Sequence, residues 1–78
     1  MTETDNNDFD PYLRRRLADH LRRLRLEKEI SQEALAVQCG FHRSYVSQIE
    51  RCANNITLDN VQRLAMVLGV DPIDLLGP

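Results

Sequence analysis

No stretch of this 78-residue chain approaches the roughly 20 consecutive apolar residues that a membrane-spanning helix needs. The N-terminus has neither the basic nor the apolar segment of a signal peptide, so the chain is expected to stay in the cytoplasm. Two cysteines, Cys39 and Cys52, are too few for a disulfide framework and suit a reducing compartment. Only three glycines are present, and none forms a Gly-rich phosphate loop. No serine stands with a plausible His–Asp pair, and no two carboxylates share a basic or apolar setting. An enzyme is therefore not expected, and neither is a small-molecule ligand or cofactor. Cys39, His42, Cys52 and His20 could in principle be gathered around a metal, since Cys-x2-His is a ligand spacing. Cys39 falls at an inward position beside a turn, however, where a free cysteine behaves as a small buried hydrophobe, so no metal site is expected.

Positive charge is also scarce: the net charge is −2. It is unevenly placed. Glu3, Asp5, Asp8 and Asp10 put four negative charges and no positive ones ahead of the first helix. From residue 11 onward ten Lys/Arg face eight Asp/Glu, a balance of +2. A nucleic-acid binder needs positive charge on one face rather than a basic average, so this balance neither supports nor excludes DNA. Seventy-eight residues make one domain, near the lower limit of what a single apolar core stabilises. Residues 1–9 read as a disordered acidic tail, solvated, competing with DNA phosphates or touching a partner, and 10–78 as the folded unit.

What the chain does contain is centred on Gln32 to Ile49, QEALAVQCGFHRSYVSQI. Leu35, Ala36, Val46 and Ile49 are apolar where two short helices must face inward. Gly40 falls where the first must stop and the chain reverse with positive φ. Ala36 is small enough to let the two axes approach. His42, Arg43, Ser44, Ser47 and Gln48 form a polar face on the second helix, placed at about Arg43–Glu50. This is the layout of a helix-turn-helix whose second helix enters a DNA major groove.

Gln32 to Gln48, followed by Ile49-Glu50-Arg51, resembles the Cro/repressor-type (XRE) helix-turn-helix family. RSYVSQIER and Asn54-Asn55-Ile56-Thr57-Leu58 are especially similar to the controller proteins of restriction–modification systems. The likeness spans roughly residues 12–76. It implies an all-α, compact five-helix lambda-repressor-like DNA-binding domain with a central helix-turn-helix. It also implies that Gln32 grips a phosphate and braces the recognition helix. Arg25 and Glu50 match a partly buried ion pair joining the first and third helices, and the loop holding Asn54 and Asn55 runs along the DNA backbone, which makes both residues candidates for amide contacts to phosphate. Both asparagines are also ordinary turn formers.

The flanking helices follow from periodicity and caps. Asp10-Pro11 predicts a helix start, with Asp10 as cap, and Leu13, Leu17, Leu21 and Leu24 form one stripe running to about Lys28. Arg14, Arg15, Arg16, Arg22 and Arg23 read as a solvated face, some near the start within reach of phosphates. His20 lies off the stripe and reads as a surface residue. Ser31 caps the second helix. His42 stands where a better cap is usual and would donate to a phosphate or base when protonated, making binding pH-dependent. Tyr45 is expected to pack its ring against the fold and offer only its hydroxyl to a phosphate, and Arg51 is a phosphate candidate. Thr57 caps a fourth helix with Leu58, Val61, Leu64, Ala65 and Leu68 inward, ended by Gly69. Asp71-Pro72 opens a last helix through Leu76.

Val70, Ile73, Leu75 and Leu76, with Met66 or Val67, exceed what one terminal helix can bury and predict an interaction surface. The family dimerises through this region. The expected function is a homodimeric, sequence-specific transcription regulator on a pseudo-palindromic double-stranded DNA operator, answering to its own concentration. RNA polymerase is a further candidate partner. The alternative is an antitoxin-like protein-binding module that also binds DNA; such a chain usually carries an extra wrapping segment, for which only residues 1–9 are available.

Overall fold

The computed structural model describes residues 8–78. Of the expected acidic tail, residues 1–7 lie outside the described residues. The described chain is all-helical: α1 (Tyr12–Glu27), α2 (Gln32–Gln38), α3 (Tyr45–Glu50), α4 (Leu58–Leu68) and α5 (Ile73–Leu76). α1 is the spine, packing against both α3 and α5, while α2 packs on α3 and α4.

Leu17, Leu21, Leu35, Leu64, Leu68, Leu75 and Val46 are wholly buried. Each buried leucine contributes about 1.5–3 kcal/mol relative to an exposed one. Ala36, with no exposed surface, lies at the α2–α3 contact, where a longer side chain would separate the axes.

Four helices end in the same way. In each, a residue of positive φ follows the helix, and its N–H and the next bond back to carbonyls of the last turn, as in a Schellman motif. The positive-φ residues are Glu29 (55°), Gly40 (79°), Cys52 (58°) and Gly69 (71°). Ile30 N–H reaches Arg25 O, Phe41 N–H Ala36 O, Ala53 N–H Gln48 O, and Val70 N–H Ala65 O, at 2.8–3.2 Å. The helix starts are more varied. Ser31 Oγ accepts from Ala34 N–H and Thr57 Oγ1 from Asn60 N–H, as caps do.

Several expectations are corrected. α1 has no side-chain cap: the Asp10 carboxylate turns to Arg15, accepting from Nη1 at 2.6 Å and Nη2 at 3.0 Å. A bidentate charge-assisted pair outcompetes a single bond to a backbone N–H. Leu13 is half exposed and Leu58 is 80% exposed, because both lie at helix starts beyond the reach of the core. α3 begins at Tyr45 rather than Arg43; His42–Ser44 form a tight turn closed by Tyr45 N–H to His42 O at 2.9 Å. Leu75 faces the subunit's own core with no exposed surface, so it offers nothing to a partner. His20 is not a free surface residue: its Nε2 lies 2.7 Å from Gly77 O, tying α1 to the end of the chain.

Candidate nucleic-acid interface

The second helix of the motif, α3, has only six residues, so little of its position comes from its own hydrogen bonds. Val46 and Ile49 bury its inner face against α1 and α2. Its C-terminal end is fixed by Glu50. That carboxylate accepts from Arg25 Nε at 2.7 Å, Arg25 Nη2 at 3.1 Å and Gln32 Nε2 at 3.0 Å. Arg25 spends its remaining reach on Ile30 O, at 3.0 Å. The two side chains are 10% and 3% exposed, so the ion pair is a buried one. Gln32 is thus bound to α3 by one amide hydrogen, which leaves its Oε1 and a second N–H for another partner.

The outer side of the motif is polar. Between the start of α2 and α3 lies an open cleft of about 370 Å³ lined by Ser31, Gln32, Glu33, Arg43, Ser44 and Ser47. Arg43 is exposed and makes no hydrogen bond or ion pair among the described residues. His42 and Ser44 are exposed beside it, and Ser47 and Gln48 are half-buried on the next turn. His42 Nδ1 accepts the backbone N–H of Ser44 at 3.2 Å, so the histidine caps the turn after all.

The remaining candidates spread around this face. Tyr45 stacks edge-on against Phe41, with centroids 4.9 Å apart, and its hydroxyl oxygen accepts from Asn60 Nδ2 at 3.3 Å. Because that bond uses a lone pair, the phenolic hydrogen remains free to donate. Arg51 is exposed, with Nε donating to Ser47 O at 3.4 Å. Asn54 is half-buried and donates to Gln48 Oε1, while Asn55 is exposed near Leu13, Ile56 and Leu76. Met66 and Ile73, at 70% and 68% exposure, stand apart on α4 and α5, with Val70 and Leu76 partly covered. Asn60 was missed by sequence reasoning; nothing in its neighbours marks it as the partner of a tyrosine fifteen positions away.

Each thiol is turned to a backbone carbonyl. Cys39 Sγ contacts Arg63 O and Cys52 Sγ contacts Arg14 O. Burial pushes the Cys39 thiol above its ordinary pKa, with the Arg63 charge opposing. No group of three or more His, Cys, Asp or Glu is gathered in metal-binding fashion among the described residues. Among the described residues, no helix is long and apolar enough to cross a membrane.

A short helix buried on one side and polar on the other, held against a preceding helix by a glycine turn, is the helix-turn-helix of a DNA-binding transcription regulator. The chain belongs to the XRE-type helix-turn-helix family, whose model matches residues 21–75. It is 49% identical over 57 residues to control protein C.BamHI of Bacillus amyloliquefaciens, covering 72% of this chain and 70% of that one. The crystal structure of the hypothetical transcription factor NHTF from Neisseria superposes with a TM-score of 0.83 at 44% identity, covering 100% of this chain and 85% of that one. The restriction–modification controller protein C.AhdI from Aeromonas hydrophila matches with a TM-score of 0.75 at 40% identity, covering 80% and 90%.

Proposed function

We propose that this regulator acts as a homodimer on a pseudo-palindromic operator, as the controller of a restriction–modification system. The observation that carries the DNA-reading part is the unpartnered Arg43 beside His42 and Ser44, on the turn that enters a helix whose far end is anchored by the buried Arg25–Glu50–Gln32 cluster. Arg43, Ser44, His42, Ser47 and Gln48 read base edges. Gln32, Tyr45, Arg51 and Asn55 hold phosphates, the tyrosine through its free hydroxyl hydrogen. Only local charge supports this face, so binding is salt-dependent with a small slope.

The controller subtype is favoured by C.BamHI and C.AhdI, both named as such proteins, standing among the relatives. Dimerisation uses exposed Met66 and Ile73, flanked by Val70 and Leu76. A six-residue helix reads only a few base pairs, and twofold symmetry doubles the site. RNA polymerase is a partner of the DNA-bound dimer in this reading.

Selection of bound fragments from random DNA tests the proposal. The expected product is a pseudo-palindrome with half-site centres roughly 10–10.5 bp apart. Recovery of fragments with no common sequence would overturn it.

A further inference from the structure

Four side chains around α3 form one unbroken hydrogen-bond chain. Asn54 Nδ2 donates to Gln48 Oε1 at 2.5 Å, and Gln48 Nε2 donates to Ser44 Oγ at 3.3 Å. Ser44 Oγ lies 2.9 Å from His42 Nδ1, which also accepts the Ser44 backbone N–H at 3.2 Å.

The polarity of the whole chain is dictated from one end. A backbone N–H can only donate, so His42 Nδ1 carries a lone pair and the ring proton sits on Nε2. The Ser44 hydroxyl must then aim its hydrogen at the same Nδ1 lone pair, shared with the backbone N–H, which leaves Oγ facing Gln48 as an acceptor. Gln48 must therefore offer its NH2 to Ser44 and turn Oε1 toward Asn54, which in turn must offer its own NH2. No other assignment satisfies the four contacts together.

The backbone supports this grip at the same place. Cys52, with φ 58°, turns the chain back over the helix end, and Ala53 N–H bonds to Gln48 O at 2.9 Å. Gln48 is thus held by the loop twice, through its own carbonyl and through its side chain. Rotating a free glutamine amide by half a turn exchanges donor and acceptor with little change of shape, so an unheld Gln48 could satisfy opposite base edges. A held one cannot, and it loses less rotamer freedom on binding.

We propose that Asn54 is a positioning residue for sequence recognition: it acts on DNA through Gln48 rather than by gripping a phosphate. The same chain leaves His42 presenting Nε2–H outward as a donor with no partner among the described residues, suited to an acceptor such as guanine O6 or N7. The proposal rests on α3 being the base-reading helix.

The experiment uses the full chain, with Asn54→Ala, Gln48→Ala and the double substitution. Affinities are measured for the selected operator and its single-base variants at two salt concentrations, with melting curves alongside. Asn54→Ala is expected to lower discrimination about tenfold at the same base positions that Gln48→Ala flattens, with the salt slope unchanged. In the Gln48→Ala background it should have no further effect. Equal weakening on every sequence, with the slope reduced by about one ion per subunit, would identify a phosphate contact and overturn the proposal. Additive effects of the two substitutions would overturn it as well.

A second measurement needs no DNA. Nitrogen-15 spectra of the His42 ring in the free protein should show a protonated Nε2 and a bare Nδ1, and a protonated Nδ1 in neutral His42 would break the chain. If the wild type itself shows no sequence preference, the reading of α3 as base reader fails, while the ring spectrum still decides whether the chain exists.

Discussion

Glu50→Gln removes one negative charge from a site where three donors converge. In the wild type two of them come from Arg25, at 2.7 and 3.1 Å, and one from Gln32, at 3.0 Å. With the Arg25 and Glu50 side chains 10% and 3% exposed, water cannot take over the carboxylate's part. At an effective dielectric of about 20 and a charge separation of about 4 Å, the lost attraction is ~4 kcal/mol. Removing one partner of a buried pair costs ~3–5 kcal/mol, whereas an exposed pair is worth ~0–1 kcal/mol. Glutamine keeps one acceptor oxygen, but its NH2 then confronts an N–H of Arg25 or Gln32, so the lower half of the buried range is not expected to be undercut. For a domain of this size each kcal/mol moves the melting point by roughly 4–8 °C, which makes the expected fall at least about 12 °C. Thermal and urea melts measure it. Replacing both partners by apolar residues, as in Arg25→Met with Glu50→Leu, should recover much of the loss, since the penalty lies in the orphaned charge. A Glu50→Gln melt within a degree or two of the wild type would refute the reasoning. Below its own melting point the variant should keep the order of base preferences, because the pair positions α3 without touching DNA.

Arg43→Ala should cost ~1–3 kcal/mol on the operator and flatten preference at one guanine per half-site, measured on single-base variants; uniform weakening would make Arg43 a phosphate contact. Ile73→Glu should yield a monomer by sedimentation while the melting point of the fold holds, since Ile73 is 68% exposed. Leu75→Ala, by contrast, should lose ~2–5 kcal/mol at any protein concentration, because that side chain is wholly buried within the subunit. Cys39 should resist alkylation near pH 8 in the folded protein and react on unfolding, burial having raised its pKa above the ordinary 9.0. A folded pKa raised above the unfolded value favours the folded state below the unfolded pKa. That contribution is lost as pH rises through the folded pKa, so alkaline melts should show the stability declining there.

How much of this could be read from the residues is clearest at the helix ends. Gly40 and Gly69 announce their turns, because glycine takes positive φ without cost. Glu29 and Cys52 make the same turn unannounced. A left-handed residue with a side chain costs roughly 1–2 kcal/mol, offset here by the two carbonyls that each turn satisfies and by the following residue folding back. The dipeptides Asp10-Pro11 and Asp71-Pro72 are identical and behave differently. Asp71 Oδ1 accepts from Ile73 N–H at 2.9 Å, and Asp74 Oδ2 accepts in return from Asp71 N–H at 3.1 Å, whereas Asp10 has Arg15 within reach and prefers it. A dipeptide cannot declare which neighbour wins. Leu75 shows the same limit for burial: in the run Ile73-Asp74-Leu75-Leu76 only the packing of α5 on α1 decides which apolar residue faces inward.

The candidate site divides along the same line. Its residue types were legible, because polar groups between Val46 and Ile49 cannot enter the core and must face outward. Their connections were not, because Asn54 meets Gln48 only after the chain has turned at Cys52, and Asn60 meets Tyr45 across two elements. Those connections matter because α3 is far below the ~12–15 residues at which an isolated helix becomes even marginally stable. A recognition helix this short takes its position from its attachments. At one end His42 closes the entering turn, and at the other Glu50 is clamped by Arg25 and Gln32 while Asn54 folds back over Gln48. Loosening the two attachments bonded to reading groups, His42 to Ser44 and Asn54 to Gln48, frees those groups without removing them, whereas loosening the Glu50 clamp acts first on stability. Substitutions that never face the groove should therefore change what the groove-facing residues can distinguish.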